Sequence, residues 1–244
     1  MLQPPRGSQL SGTPISVAEV TRGAASREEQ SHRVEAYWDL CASVADYYLG
    51  LLEADELARL QKRVPAMSRS LQVAEQSLRN RLDTSLRAAS AGQRRLASLM
   101  RSPGSLPLPG DGPVCHKYRT EYDAIFGSRT AASSAASEAR LLHELLPMRH
   151  AELIRAAASV ERSESFVQQV ANHSRNSDGT AMLRALELLA LNRRAFVQIA
   201  KDYNRRITRY TELFAPDRVD SDLLVGMLIG NSEKVAVNST ATLR

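Results

Sequence analysis

The residues best suited to chemistry are five histidines and two cysteines, and their spacing forms no recognisable metal site. The histidines are His32, His116, His143, His150 and His173. None of them forms an HExxH pair, and the two that share a helix face, seven residues apart, have no acidic partner at ligand spacing. Two cysteines are too few for a cysteine zinc site or a disulfide framework. No metal and no cofactor are expected.

Nucleophilic catalysis has equally little support in the sequence. Cys115 and His116 are neighbours, but adjacent side chains of this kind usually point apart and do not form a catalytic pair. The chain contains no phosphate-binding glycine loop and no GxSxG motif. We therefore expect a protein that is not an enzyme.

The charge of the chain is basic and is carried almost entirely by arginine. The net charge is +5, and only Lys62, Lys117, Lys201 and Lys234 among the 32 basic side chains are not arginine. The arginines of 69–95 and of 184–209 are spread along periodic segments, and no aromatic residues alternate with them as base-stacking platforms would. We interpret them as solvated helix faces, and nucleic acid is not an expected partner.

Four long segments have the periodicity of amphipathic helices, at about 27–63, 66–101, 138–175 and 180–214. In the first, apolar residues recur in steps of three and four, and in the fourth they recur every seven residues, which predicts supercoiling against a partner helix. The pattern leaves open whether that helix belongs to the same chain or to another copy. This helix-packing or oligomer seam comprises Val34, Tyr37, Val44, Tyr48, Met182, Leu189, Phe196, Tyr203 and Tyr210.

Proline, glycine and small polar residues separate these segments. Pro65 and the stretch 176–180 interrupt the first and last pairs of helices, and SPGSLPLPGDGP at 102–113 separates the pairs. The sequence therefore predicts an all-α fold of two long antiparallel hairpins, with four long helices and a Pro/Gly-rich connector. Its expected parts are a disordered lead (1–26), the first hairpin (27–101), the connector with a short helix within 114–126 (102–137), the second hairpin (138–215) and a tail with a short apolar patch (216–244).

Several short stretches occur together in a characteristic order. They are EAYWDL at 35–40, VADYY at 44–48, LPLP at 106–109, YRT at 118–120, DYNRRITRY at 202–210 and LVGMLI at 224–229. In this order they resemble the TolC-like outer-membrane efflux proteins, in particular divergent, planctomycete-type members. The resemblance spans roughly residues 30–230. It corresponds to about one of the two repeats typical of that family, without its membrane strands.

The resemblance implies a function by assembly and not by catalysis. TolC-like proteins form oligomers, usually trimers, whose helices build a periplasmic barrel continuous with the outer membrane and serve efflux or secretion. Periplasmic adaptors and inner-membrane pumps dock at the helical tips. By this resemblance the chain is expected in the cell envelope as a trimer or higher oligomer. The corresponding tip would comprise Asn176, Ser177, Asp178, Gly179 and Thr180.

A second function class remains open at this point. Residues 1–31 contain no apolar stretch of the length of a signal peptide, so the chain is either cytoplasmic or given without its natural beginning. The longest apolar runs, such as 223–229, are too short for a membrane-spanning helix. The alternative is therefore a cytoplasmic coiled-coil interaction protein that binds an acidic partner through its arginine-rich helix faces.

Overall fold

The computed structural model describes residues 4–63, 68–102, 104–126, 134–173 and 179–230. In chain order its elements are β1 (Thr13–Ile15), α1 (Val17–Thr21), α2 (Arg27–Arg63), α3 (Ser68–Met100), β2 (Pro107–Pro109), α4 (Tyr122–Phe126), α5 (Ser134–His173), α6 (Gly179–Phe214) and α7 (Ser221–Ile229). The predicted all-α fold with four long helices and a Pro/Gly-rich connector is confirmed. The predicted break at Pro65 and the end of the chain from 231 onward lie outside the described residues.

The long helices pack as two antiparallel hairpins. Along α2 and α3, Leu40 lies against Gly92 and Gly50 lies against Leu82, so the numbers rise on one helix as they fall on the other. Gly50 permits this approach, because a Cβ atom at that position would lie 2.8 Å from the Leu82 side chain. Helices α5 and α6 pack along each other in the same way, with Glu138 next to Arg209 and Ser163 next to Asn192. Pro147 lies inside α5, which continues on both sides of it.

The two hairpins meet through one helix from each. Helix α2 packs along α3 on one side and along α6 on the other, and α6 also packs along α5. Over the described residues, α3 and α5 do not pack along each other. The four helices therefore form a row in the order α3–α2–α6–α5, in which α3 and α5 are the two edges.

Apolar side chains are buried in two separate clusters along this row. The larger cluster lies where α1, α7 and the connector pack against the first half of α2 and the second half of α6, and we call this region the base. The smaller cluster, at the other end of the hairpins, consists of Leu60, Leu71, Met182 and Leu183. Each helix thus contributes to two cores that are separated along its length.

The first residues of the described chain are ordered, which corrects the expectation of a disordered lead over 1–26. Ser16 and Glu19 form a reciprocal N-terminal cap of α1, and this short helix buries Val17 and Val20 against the base. The buried side chain of Arg33 donates hydrogen bonds to the Val20 and Arg22 carbonyl oxygens, at 3.2 and 3.0 Å. Both apolar burial and hydrogen bonds therefore hold the segment in place. Its polar composition alone does not indicate these contacts.

The connector also contains strand structure. Strands β1 and β2 pair in parallel, with Thr13 opposite Pro107 and Ile15 opposite Pro109. The prolines are tolerated because the sheet has two strands and an unused edge. After β2, the Gly110 amide donates to the Ile15 carbonyl oxygen at 2.8 Å, and a Cβ atom at position 110 would lie equally close to that oxygen.

Between β2 and α4 the connector is extended. The short helix predicted within 114–126 is limited to α4, since residues 114–121 have no helical structure. The apolar patch of the tail forms α7, which has Asp220 as its N-cap and Gly230, at a φ of 74°, as its left-handed C-cap. Its buried residues, Leu224, Met227 and Leu228, face the base.

Candidate functional site

The predicted helix seam lies in the interior of this single chain. Val34, Tyr37, Val44, Tyr48, Met182, Leu189, Tyr203 and Tyr210 are all buried. Phe196 is half-buried and lines a pocket between α2 and α6. The seam therefore packs helices of one chain together, and an interface with another copy needs other residues.

The candidate hairpin tip falls mostly outside the described residues. Asn176, Ser177 and Asp178 are among the residues that are not described, whereas Gly179 and Thr180 begin α6. The two described residues of the tip lie at the beginning of α6, near the smaller apolar cluster and away from the base.

The stretches on which the resemblance depends meet in the base. From the EAYWDL stretch, the Tyr37 hydroxyl accepts a hydrogen bond from the Asp111 amide at 2.8 Å and donates to the Ile15 carbonyl oxygen at 3.1 Å. The neighbouring indole, Trp38, donates to Thr208 Oγ1 of α6 at 3.2 Å. These two aromatic residues thus tie α2 to β1, to the connector and to the other hairpin.

The DYN stretch of α6 holds the extended part of the connector. The buried Asn204 side chain accepts from the Val114 amide and donates to the Val114 carbonyl oxygen, both at 2.9 Å. The Tyr203 hydroxyl accepts from the Tyr118 amide at 2.8 Å and donates to the His116 carbonyl oxygen at 3.0 Å. These side chains thus form hydrogen bonds with the amide and carbonyl groups of the connector, which in a sheet would bond to a neighbouring strand.

The same connector reaches α7. The buried Tyr118 hydroxyl donates to the Met227 carbonyl oxygen at 2.9 Å, and burial raises the pKa of this phenol well above its usual value. His116 Nε2 lies 2.8 Å from the Ile229 carbonyl oxygen. The YRT and LVGMLI stretches therefore take part in the same hydrogen-bonded region as the DYN stretch.

A layer of ion pairs separates the two apolar clusters of the row. Arg193 of α6 bridges Glu56 of α2 and Glu164 of α5, at 3.1 and 3.0 Å. Arg194 pairs with Glu53, whose side chain is only 8% exposed, and with Asp46 at 3.3 Å. This ionic layer joins three of the four long helices, and Arg81 of α3 adds a 3.4 Å contact to the same buried carboxylate.

The ionic layer corrects the interpretation of these arginines as part of a solvated face. Arg193 and Arg194 lie between the helices, where they border pockets of about 380 and 340 Å³ that are also lined by residues of the smaller apolar cluster. Removing one partner of such a pair leaves a buried charge without compensation. A shift of one helix along another would separate the partners in the same way, so the layer disfavours a change in helix register. Closer to the base, Arg209 donates two 2.7 Å hydrogen bonds to Glu138 and lowers the pKa of that carboxyl.

A separate pocket lies between α2 and α6, next to the connector. It has a volume of about 230 Å³ and is lined by Trp38, Cys41, Ala42, Ala45, Pro113, Cys115, Phe196, Val197, Ala200 and Lys201. We call it the α2–α6 pocket. Its wall is almost entirely apolar, and both cysteines of the chain lie on it. Burial raises the pKa of both thiols, which disfavours the reactive thiolate.

The histidines whose side chains are described do not assemble into a site. His143 lies next to the Thr120 hydroxyl and stacks on Tyr122, with ring centroids 5.4 Å apart, and His150 lies beside Tyr203. Throughout the described part of the chain, no group of three or more His, Cys, Asp or Glu residues is arranged to hold a metal ion. Each of these rings instead contacts a neighbouring side chain of the base.

The outer faces of the hairpins carry exposed apolar residues. On α5, Leu141, Met148 and Phe166 are exposed and separated by 7 and 18 residues. At 3.6 residues per turn they lie within about 20° of one line along the helix. On α6, Leu188 and Leu191 are exposed on the face turned away from the core. The spacing of the first three is visible in the sequence, but only the structure shows that these side chains are exposed.

Comparison of the chain with protein-family models, with curated proteins and with solved structures finds no match. None of the helices within the described ranges combines the length and the apolar character of a membrane span.

Proposed function

We propose that this protein is a TolC-like helical component of the cell envelope that supports efflux or secretion by oligomeric assembly and not by catalysis. The observation that carries the proposal is the open row α3–α2–α6–α5. A row of helices with two free edges can be continued by the next copy, as in the wall of a helical barrel. A head-to-tail contact of this kind closes into a ring when the rotation between copies permits it.

The edges of the row have the properties that such a contact needs. The line of Leu141, Met148 and Phe166 runs along the edge helix α5 and remains exposed in the single chain. Leu141 and Met148 are about 10 Å apart along the helix axis and Phe166 follows about 27 Å further, so each is a separate apolar contact point on one face. Exposed apolar residues on one face are a feature of interaction surfaces. The opposite edge, α3, contains six arginines and two acidic residues, whereas α5 contains five glutamates and four arginines. The two edges therefore do not carry large net charges of the same sign, so charge does not oppose their contact.

The envelope role follows from the resemblance and is supported by the base. The stretches that resemble TolC-like proteins are the ones that fasten the connector and α7 to the hairpins, so their order along the chain has a structural reason. Their joint role favours a shared architecture over a chance likeness of short motifs. Partners at the tip between α5 and α6, such as a periplasmic adaptor or an inner-membrane pump, remain part of the proposal.

The alternative, an acidic partner bound by arginine-rich faces, is less favoured by the ion pairs. Twelve arginines of the described chain already pair with a carboxylate: Arg33, Arg59, Arg79, Arg81, Arg87, Arg95, Arg140, Arg149, Arg193, Arg194, Arg205 and Arg209. Much of the basic charge is therefore balanced within the chain. Binding to heparin that weakens steeply with salt would favour the alternative.

The proposal is tested by the compartment of the native protein and by a matched pair of variants. Fractionation of the native cells with antibody detection should find the protein in the envelope; a cytoplasmic location would contradict the transport role. Met148→Glu places a charge on the α5 line and should dissociate the oligomer. Ile154→Glu is the control, because it is equally exposed (53% against 54%) but lies about 120° away around the same helix.

A further inference from the structure

The α2–α6 pocket exists because small residues meet where the two hairpins join. Ala42 and Ala45 of α2 face Ala200 of α6, while the larger Trp38 and Phe196 form the remaining walls. Large side chains such as Trp38 and Phe196 keep the two helices apart. The alanine methyl groups between them are too small to fill the space, so a cavity remains. The extended connector covers one side through Pro113 and Cys115.

The volume and lining of the pocket limit what it can hold. An apolar cavity of about 150 Å³ is large enough for benzene, so 230 Å³ accommodates one six-membered ring and a small substituent. The volume is below that of pockets for drug-sized ligands, which start at about 300 Å³. The two aromatic walls favour a flat ring, since aromatic pairs gain energy beyond the area that they bury.

One basic side chain borders the pocket; because the wall is almost entirely apolar, the charged end of this side chain lies at its rim. Lys201 is half-buried on its wall, and among the described residues no carboxylate lies within ion-pair distance of its amine. This ammonium group, without a carboxylate partner among the described residues, is available to an anion from outside. A carboxylate on the ring would place its charge there while the ring remains in the apolar part.

We propose that the α2–α6 pocket binds a small aromatic carboxylate, with its ring between Trp38 and Phe196 and its carboxylate at Lys201. The inference is independent of the proposed assembly function, because the pocket belongs to a single chain and lies between the two central helices. A ligand here touches both hairpins and the connector, so it also stabilises the junction on which the row depends.

Benzoate is the simplest ligand of this class and can be measured through the protein itself. Trp38 is the only tryptophan of the chain and lines the pocket, so its fluorescence reports binding directly. Benzoate does not absorb appreciably at the red edge of tryptophan excitation, which avoids interference. We expect a saturable change with a Kd of roughly 0.1–1 mM for a ligand of this size. No saturable change up to about 10 mM would overturn the proposal.

Variants separate the roles of shape and charge. Ala45→Leu fills the pocket and should weaken benzoate binding more than about tenfold, whereas Ala88→Leu, on the exposed face of α3, should leave it unchanged. Lys201→Gln should weaken benzoate about fivefold and leave the neutral analogue benzyl alcohol unaffected. Lys62→Gln, exposed near the far end of α2, is the charge control. Unchanged benzoate binding in Ala45→Leu, or equal affinity of both ligands for the wild type, would contradict the proposal.

A second measurement uses the wild type alone and does not depend on the folding of any variant. Cys115 is exposed at the pocket, whereas Cys41 is buried, so alkylation by iodoacetamide in the native state reports on Cys115. Saturating benzoate should slow this reaction severalfold, while the same concentration of acetate should not. An alkylation rate that is unchanged by benzoate would place its binding elsewhere and overturn the assignment.

Discussion

Replacing Asn204 tests most critically how the base is held together, because its side chain binds the buried backbone of the connector. We expect Asn204→Leu, which keeps the branching and the number of heavy atoms of the side chain, to destabilise the protein strongly. The substitution removes both partners of the Val114 backbone, the donor to its carbonyl oxygen and the acceptor of its amide. Val114 is buried, so water cannot replace them without opening the connector.

The magnitude follows from the number of groups left without a partner. A buried polar group without a hydrogen bond costs about 1–3 kcal/mol, and two such groups are created here. Allowing for the gain from burying leucine in place of an amide, we expect a loss of about 3 kcal/mol in the free energy of unfolding. For a chain of this length that corresponds to a decrease in Tm of about 6–12 °C.

The assay is urea unfolding followed by circular dichroism, with a control on the same helix. Asn192 is half-buried and makes one side-chain hydrogen bond, to Ser163 at 2.6 Å, so Asn192→Leu should cost less than about 1 kcal/mol. Hydrogen exchange should show faster exchange of the connector amides in Asn204→Leu only. Equal stability of the two variants, or unchanged protection of 111–118, would refute the role of Asn204.

Three further predictions follow from individual contacts. Arg194→Met should lower the free energy of unfolding by about 2 kcal/mol in urea unfolding, because the buried Glu53 side chain then keeps only its 3.4 Å contact with Arg81; a loss below about 0.5 kcal/mol would contradict the ionic layer. Glu138→Gln should cost about 0.5 kcal/mol at pH 7 because its partly exposed ion pair is lost. Since the folded pKa of that carboxyl is lowered, thermal melts should show the difference above the ordinary value of 4.5 and its disappearance as the pH falls below it. Mass spectrometry after native alkylation at pH 8 should find Cys115 modified and Cys41 unmodified.

The long helices could be predicted from the sequence because their signals are local. The first helix matches its predicted bounds, 27–63, since its apolar steps of three and four residues continue to its end. The fourth begins and ends within a residue of the prediction, because Gly179 and Pro216 flank a regular seven-residue repeat. Periodicity also predicted which residues form the buried seam. It did not predict whether the helix that packs against them belongs to the same chain or to another copy.

The parts that the sequence analysis missed depend on contacts between distant residues. The order of 4–26 depends on pairing with β2, about ninety residues further along the chain, although Ser16 and Glu19 were a visible capping signal. In the sequence, the arginines of the ionic layer have the same spacing as arginines on a solvated face. They differ only in that carboxylates of neighbouring helices lie next to them in the fold. The α2–α6 pocket is formed by three alanines from two different hairpins. The sequence of either segment alone therefore does not predict it.

The mass of the purified protein in solution tests the central claim most directly. Sedimentation equilibrium should give a trimer or a higher oligomer of the 26.9 kDa chain, and Met148→Glu should reduce it to a monomer while Ile154→Glu does not. A concentration-independent monomer would contradict assembly through the edges of the helix row. An oligomer that survives Met148→Glu would contradict the α5 edge as its interface.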